Sequence, residues 1–272
     1  MHPNDKTTPN ALHSGLLPIY KPTNWTSSDV VAYVRKTLEF EARDRLGTKK
    51  RPKIKVGHGG TLDPLAEGVL VLGVGKGTKM MTDYLKGAKS YEAKAEMGYE
   101  TTTLDLDGNI VKRSDPAGIT LENIKSVSDN YVGEILQVPP IYSALRKNGK
   151  RLYELAREGA TEEDLDALGI PARPVVVNSL EVKPSDQGLP FFNLSVSCGG
   201  GTYIRSLIRD IGTSLGTHAT MTHLVRTQQG PFIIDDCLDV KSNALELYEK
   251  ILECDKVLEA MQGEVEGEEE GQ

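Results

Sequence analysis

The chain has only three cysteines in 272 residues, Cys198, Cys237 and Cys254, too few and too scattered for a disulfide framework. The odd count and the lack of any C-x-x-C pair also give no zinc site, so they are read as reduced thiols. No stretch reaches the roughly 18 consecutive apolar residues of a membrane span. The opening MHPNDKTTPN lacks the charged-then-apolar profile of a secretory leader. An intracellular protein with no membrane association is therefore expected. No internal repeat is visible, and His218 and His223 stand off the i, i+4 spacing that puts two ligands on one helical face. No metal is assigned to them. Gly73-Val74-Gly75-Lys76-Gly77-Thr78-Lys79 approaches a phosphate loop, but no Lys-Ser/Thr pair follows the required G-x-x-x-x-G.

Length and a 38% hydrophobic content suit one large domain or two small ones with a real core. The net charge of −7 at first argues against an anionic partner. It is unevenly distributed. Residues 241–272 hold three Lys and ten acidic residues, which leaves 29 bases against 29 acids over residues 1–240. Within that neutral part, Arg43 to Lys55 carries seven bases against Asp44, and Leu145 to Arg157 carries five against Glu154. Basic strips on a neutral body fit phosphate binding, with a merely solvated loop as the plain alternative for each.

Residues 1–14 read as a loose terminus, 41–55 as an inserted basic loop, and 262–272 (QGEVEGEEEGQ) as a disordered acidic tail. Strands are expected at 16–20, 66–74, 91–97, 174–183 and 191–198. The alternation in 91–97 puts Tyr91, Ala93, Ala95 and Met97 on one face. A helix capped by Ser27 or Ser28 should bury Val30, Val31, Val34 and Leu38, and one capped by Thr202 should bury Ile204, Leu207, Ile208, Ile211 and Leu215. A terminal helix over 243–261 would use Leu245, Leu247, Ile251, Leu252, Val257 and Leu258. Strands and helices mix without a βαβ rhythm, so the class is α+β.

The chemistry concentrates in Gly57-His58-Gly59-Gly60-Thr61-Leu62-Asp63-Pro64-Leu65-Ala66-Glu67-Gly68. Clustered glycines allow close backbone approach, and Pro64 stiffens the chain just after a carboxylate. By composition this is an ordinary turn. As a string, GHGGTLDPLAEGVL resembles the active-site segment of the TruB family of pseudouridine synthases. GLLPIYKPTNWTSSDVV, KSYEAKAEMG, QVPPIYSALRKNGKRLYELAREG and GGGTYIRSLIRDIG resemble the family's other motifs, in its order, over residues 15–239.

That resemblance implies the pseudouridine-synthase fold, a central mixed, mostly antiparallel sheet flanked by helices, over a catalytic domain 15–240. It also implies an insertion at 137–172 that grips the T arm of tRNA through Arg146, Lys147, Lys150 and Arg151. It makes Asp63 the catalytic carboxylate, Arg205 its ion partner and Tyr91 the aromatic packed on the flipped uridine of the T loop. Tyr203 and Leu224 would line the base pocket, His58 would fill space near it, and Lys21 with Pro22 would support the site. An arginine beside a carboxylate in a dry pocket favours its ionised form. Nothing is exchanged with an outside group, so no cofactor is implied. Direct attack on the sugar and a glycal-type path both remain open.

Three departures stand out. Asn24 replaces the family's usual glycine, Thr102 replaces an acid while Asp105 and Asp107 remain, and no RNA-binding PUA domain follows residue 240. A stand-alone, monomeric, eukaryotic or fungal-like form is expected, needing no guide RNA and residing in the nucleus, mitochondrion or cytoplasm. The alternatives are a non-catalytic tRNA-folding chaperone and a synthase acting on mRNA or other RNA.

Overall fold

The computed structural model describes residues 14–251. In chain order the first elements are β1 (Gly15–Lys21), α1 (Ser27–Leu46), β2 (Val56–His58), β3 (Glu67–Val74) and α2 (Met81–Lys86). There follow β4 (Lys89–Met97), β5 (Tyr99–Thr101), β6 (Ile110–Arg113), α3 (Leu121–Ser128) and β7 (Gly133–Gln137). A small hairpin, β8 (Arg146–Lys147) and β9 (Lys150–Arg151), leads into α4 (Leu152–Arg157). The remainder is β10 (Arg173–Pro184), β11 (Phe191–Cys198), α5 (Ile204–Ser214), β12 (Ala219–Gln229), β13 (Phe232–Ile233) and β14 (Leu238–Asp239). The described residues form two compact units: residues 14–64, 68–85 and 231–251 belong to unit 1, and residues 65–67 and 86–230 to unit 2.

In unit 1, β1 lies between β3, antiparallel, and β14, parallel, and β2 also pairs with β3. The apolar run of β3 is continuous because both faces are covered. Leu70, Leu72 and Val74 pack with Leu17 and Ile19 against Val30, Val34 and Leu38 of α1, while Val69, Val71 and Leu16 pack with Phe232 on the other side. Helix α1 is capped by Thr26, not Ser27 or Ser28. Its hydroxyl accepts the Asp29 N–H at 3.0 Å, and Asp29 Oδ2 accepts the Thr26 N–H at 2.9 Å. The helix also continues through the first part of the expected basic loop, because Ala42 is buried, Glu41 pairs with Arg45 at 2.6 Å, and only Gly47, at φ 61°, ends it.

The near phosphate loop has a packing explanation. A Cβ on Gly73 would meet the Gly77 carbonyl at 2.5 Å, and one on Gly77 would overlap the Gly15 carbonyl, so these glycines let a 3-10 turn lie on β1. After Asn243, whose side chain accepts the N–H groups of Leu245 and Glu246, the chain is helical from residue 244. Leu247, Tyr248 and Ile251 pack inward, whereas Leu245, expected in the stripe, is 52% exposed. Leu252, Val257, Leu258, the acidic tail and the first thirteen residues lie outside the described residues.

In unit 2 the order is β12-β4-β11-β10-β7, every pair antiparallel. Alternation decides the inward faces, as expected: Tyr91, Ala93, Ala95 and Met97 on β4, and Phe192, Leu194, Val196 and Cys198 on β11, are all buried. Helix α5 packs on β12 through Ile204, Leu207, Ile208 and Ile211. Its expected cap is absent. Thr202 Oγ1 donates instead to the Gly199 carbonyl at 3.0 Å, and Tyr203 precedes the helix without a side-chain cap. Leu215, placed in the stripe, is half-buried at the helix end.

Candidate active site

Asp63 lies in the loop between β2 and β3 of unit 1, half-buried, and the backbone on both sides of it is tied to the β1–α1 junction. The hydroxyl of Ser27, 2% exposed, donates to the Leu62 carbonyl at 3.1 Å and accepts the Leu62 N–H at 2.9 Å. On the other side, the Pro64 carbonyl accepts from Lys21 Nζ at 3.2 Å and from the Asn24 N–H at 2.9 Å. Lys21 is wholly buried, and its ammonium also donates to the carbonyls of Pro22 at 2.9 Å and Trp25 at 2.6 Å. A buried ammonium is tolerable only when its N–H groups find acceptors, and here three carbonyls accept from it. Asn24 sits at φ 64°, the left-handed conformation that asparagine adopts most readily after glycine. His58 accepts the Gly60 N–H on Nδ1 at 3.3 Å, a contact that shapes the glycine turn.

Unit 2 holds Tyr91, Tyr203, Arg205 and Leu224. Tyr91 on β4 is 8% exposed and lies opposite Val196 and Arg226; Leu224 on β12 lies opposite Ala93, so Tyr91 and Leu224 share a face. Arg205, in the first turn of α5, is 3% exposed. Its Nε stands 3.7 Å from Asp105 Oδ2, while its two terminal nitrogens donate to the carbonyls of Thr103 at 2.6 Å and Tyr142 at 2.9 Å. Asp105 in turn accepts from the Thr103 hydroxyl and from the Asp107 N–H at 3.1 Å. The loop carrying Asp105 is pinned to β12 by the Met221 N–H on the Leu104 carbonyl at 3.1 Å. Leu104 is fully buried at φ 63°, a strain of about 1–3 kcal/mol that this network sustains. Thus Asp105, not the missing acid at Thr102, supplies the carboxylate beside Arg205 in this unit.

Tyr203 is fixed through its backbone. The amide of Gln137, 1% exposed, accepts the Tyr203 N–H at 2.8 Å and donates to its carbonyl at 3.0 Å, and Arg173 lies 5.2 Å from the ring centre.

The insertion at 137–172 has its own small core of Ile141, Leu152, Ala156, Leu165 and Ile170. Its root is locked by Glu162, which accepts the Ile141 N–H at 2.6 Å and pairs with Arg209 at 3.0 Å. Burial pushes the Glu162 carboxyl up, against the opposing pull of that N–H and of Arg209. The β8–β9 hairpin turns at Asn148 and Gly149, both at positive φ. Of its four bases, Lys147 donates to the Gly169 carbonyl at 2.9 Å, Lys150 pairs with Glu158 at 2.8 Å, and Arg151 donates to the Tyr153 hydroxyl at 2.9 Å. Arg146 is exposed, and among the described residues its side chain reaches the Gly149 carbonyl alone, at 3.4 Å.

A cavity of about 410 Å³ opens in unit 2 between the 100–112 segment and the insertion, lined in part by Glu100, Thr102, Lys112, Tyr142 and Glu162. Tyr91, Tyr203, Arg205 and Leu224 do not line it. Among the described residues no group of three or more His, Cys, Asp or Glu is placed to hold a metal ion, and no helix is long and apolar enough to cross a membrane.

Residues 43–204 match the TruB family pseudouridylate synthase N-terminal domain, and residues 205–261 match the tRNA pseudouridylate synthase B C-terminal domain. The chain belongs to the TruB family. It is 42% identical over 226 residues to pseudouridylate synthase TRUB1 of Homo sapiens, covering 82% of this chain and 63% of that protein. It is 43% identical over 223 residues to tRNA pseudouridine synthase B of Synechocystis sp., covering 82% and 69%. The chain thus spans less than two thirds of the human relative. Among solved structures, a chain of a Cbf5-Nop10-Gar1 complex superposes with a TM-score of 0.59 at 27% identity, over 88% of this chain and 58% of that one. A chain of an H/ACA RNP bound to a substrate RNA containing 2'-deoxyuridine gives 0.55 at 26%, over 83% and 51%. The expected α+β pseudouridine-synthase fold is therefore the fold of this TruB-family chain.

Sequence reasoning did not single out Ser27, Thr103 or Gln137 as site residues, and noted Asp105 only as retained. One signal was present: Thr26-Ser27-Ser28-Asp29 spells a capping box headed by Thr26, which releases Ser27 for another partner. Gln137 carries no such signal, because its partner lies 66 residues away.

Proposed function

We propose that the protein is a tRNA pseudouridine synthase acting on a uridine of the T loop, with Asp63 as its catalytic carboxylate. The reaction is an internal exchange: the bond from uracil N1 to ribose C1′ breaks and one from C5 to C1′ forms. The C5 proton departs and N1 takes one up, so no outside group or cofactor enters the balance. Such chemistry asks for one carboxylate held in a fixed place and a base that cannot escape.

The observation that carries the reading is the double clamp around Asp63, with Ser27 on Leu62 and Lys21 and Asn24 on Pro64. A merely structural turn would not need both neighbours of one partly exposed carboxylate held by buried side chains, Ser27 and Lys21. Tyr91 offers the aromatic surface for a uridine taken out of its stack, and Leu224 the apolar neighbour on the same face. The relatives named as pseudouridylate synthases support the same activity for this chain. Arg146 and the rest of the 137–172 insertion are assigned to the RNA backbone, where contacts position the substrate without reading its sequence. The protein is read as working without a guide RNA, as a monomer inside the cell.

The test is to incubate purified protein with unmodified tRNA transcript and map pseudouridine by reverse-transcription stops after carbodiimide treatment. Wild type should give one stop in the T loop. Asp63→Asn should give none while binding the transcript within about tenfold of wild type, since the carboxylate serves the reaction and not the grip. Comparable turnover in Asp63→Asn refutes the catalytic assignment, and binding without modification by the wild type would favour a chaperone.

A further inference from the structure

The basic strip from Arg43 to Lys55 begins in the last turn of α1 and continues past its end. Of its seven bases, Arg43 is paired with Asp44 at 2.6 Å and Arg45 with Glu41 at 2.6 Å. The other five, Lys49, Lys50, Arg51, Lys53 and Lys55, are exposed, and no described carboxylate lies within ion-pair distance of any of them. The segment is held, not loose. Ile54 is 7% exposed in the core against α1, its N–H donates to Glu39 Oε1 at 3.2 Å, and the Lys55 carbonyl accepts the Gly75 N–H at 2.8 Å.

Burial alternates along Arg51-Pro52-Lys53-Ile54-Lys55, so the three cations are presented outward over a buried isoleucine, with successive cations' Cα positions up to about 7 Å apart. Arg51 also lies 4.3 Å from the centre of the Phe40 ring, which Arg43 approaches at 5.3 Å and Lys36 at 6.0 Å. That stacking carries the positive face from the loop back onto the helix. Five exposed cations on a held backbone, with the nearby Glu39 carboxylate engaged by the Ile54 N–H and almost no exposed apolar surface, Leu46 at 39% apart, suit a polyanion recognised by its charge and spacing.

We propose that Lys49, Lys50, Arg51, Lys53 and Lys55 form an RNA-backbone binding surface on unit 1, additional to the 137–172 insertion on unit 2. It rests on the reading of the protein as an RNA-modifying enzyme. The surface contacts phosphates, adds affinity without sequence preference, and leaves the isomerisation step alone. The rival occupant is the chain's own acidic C-terminal segment, which follows the helix whose Tyr248 ring lies 4.6 Å from Arg45.

The experiment replaces the five residues together by glutamine, keeping Ile54 and Phe40, and confirms an unchanged unfolding midpoint. Binding of a fluorescent unmodified tRNA transcript is titrated from about 50 to 200 mM salt, beside single-turnover pseudouridine formation at saturating RNA. The log–log salt dependence should flatten by about 2–4 units, at roughly 0.7–0.9 per lost contact, with affinity at least about tenfold weaker and the saturated rate unchanged. An unchanged slope in the full chain overturns the proposal. So does a loss that appears only after residues 262–272 are removed, which would show that the acidic segment occupies the surface. Failure of the function reading is separate: a wild type that makes no pseudouridine refutes that reading whatever the slope.

Discussion

Ser27→Ala isolates the clamp on Asp63 more cleanly than any change at Asp63 itself. Ser27 is 2% exposed, and its hydroxyl bonds both backbone polar groups of Leu62, itself 3% exposed. Removing it leaves a buried N–H and a buried carbonyl unsatisfied, each at about 1–3 kcal/mol, so a loss of about 2–4 kcal/mol is expected after partial relaxation. That is a large share of the roughly 5–15 kcal/mol that stabilises an ordinary domain. The catalytic effect should be separable. The loop would shift toward water, and a displacement of about 1 Å at a reacting group costs on the order of 100-fold in rate. Single-turnover pseudouridine formation should therefore fall about 10- to 100-fold with RNA affinity nearly unchanged, while urea unfolding reports the stability loss. Thr26→Ala is the control, because it removes the true cap of α1, costing about 1 kcal/mol, and leaves Leu62 bonded. Ser27→Ala with a stability loss below about 0.5 kcal/mol, or with full loss of stability and a wild-type rate, refutes the assignment of Ser27 as a positioning residue.

In the insertion, Arg146→Ala should flatten the salt dependence of RNA binding by about 0.7–0.9 units, and Lys150→Ala by less, because Lys150 already pairs with Glu158; equal effects would mean that the Glu158 pair opens on binding. Lys89 is buried at the start of β4 with its ammonium on the Gly87 carbonyl at 2.7 Å, and burial, with Arg226 adding and Cys198 opposing, pushes it down to about 8. Between that value and the usual range near 10.4 the unfolded chain holds a proton that the native chain lacks, so stability should rise with pH across this window. Tyr99, pushed up to about 12 by burial and Glu96, acts in the opposite direction above about pH 10, so the readout is the difference between wild type and Lys89→Met in urea midpoints. Identical pH profiles for the two would refute it.

Apolar, β-branched runs bounded by turn residues located β1, β3 and β10, and alternation located β4 and β11 with their buried faces, because a strand's side chains alternate whatever it pairs with. The literal strings around Asp63, Tyr91 and Arg205 carried the family, because several long motifs in one order leave little room for coincidence. Asn24 at positive φ was legible for a local reason, the small steric cost of that conformation for asparagine. Caps were less legible. Thr26, Ser27 and Ser28 all have a hydroxyl; Asp29 three residues on marks Thr26 as the cap of α1, but only the fold decides that the freed Ser27 faces Leu62. The end of α1 was missed because basic residues look the same in a loop and on a helix whose other face buries Ala42. What tertiary structure alone decided is partnership at long range. Asp105 meets Arg205 across 100 residues, Gln137 meets Tyr203 across 66, and Lys21 meets Pro64 across 43. A buried polar group must find its partner wherever the packed chain brings one, and sequence distance does not enter that requirement.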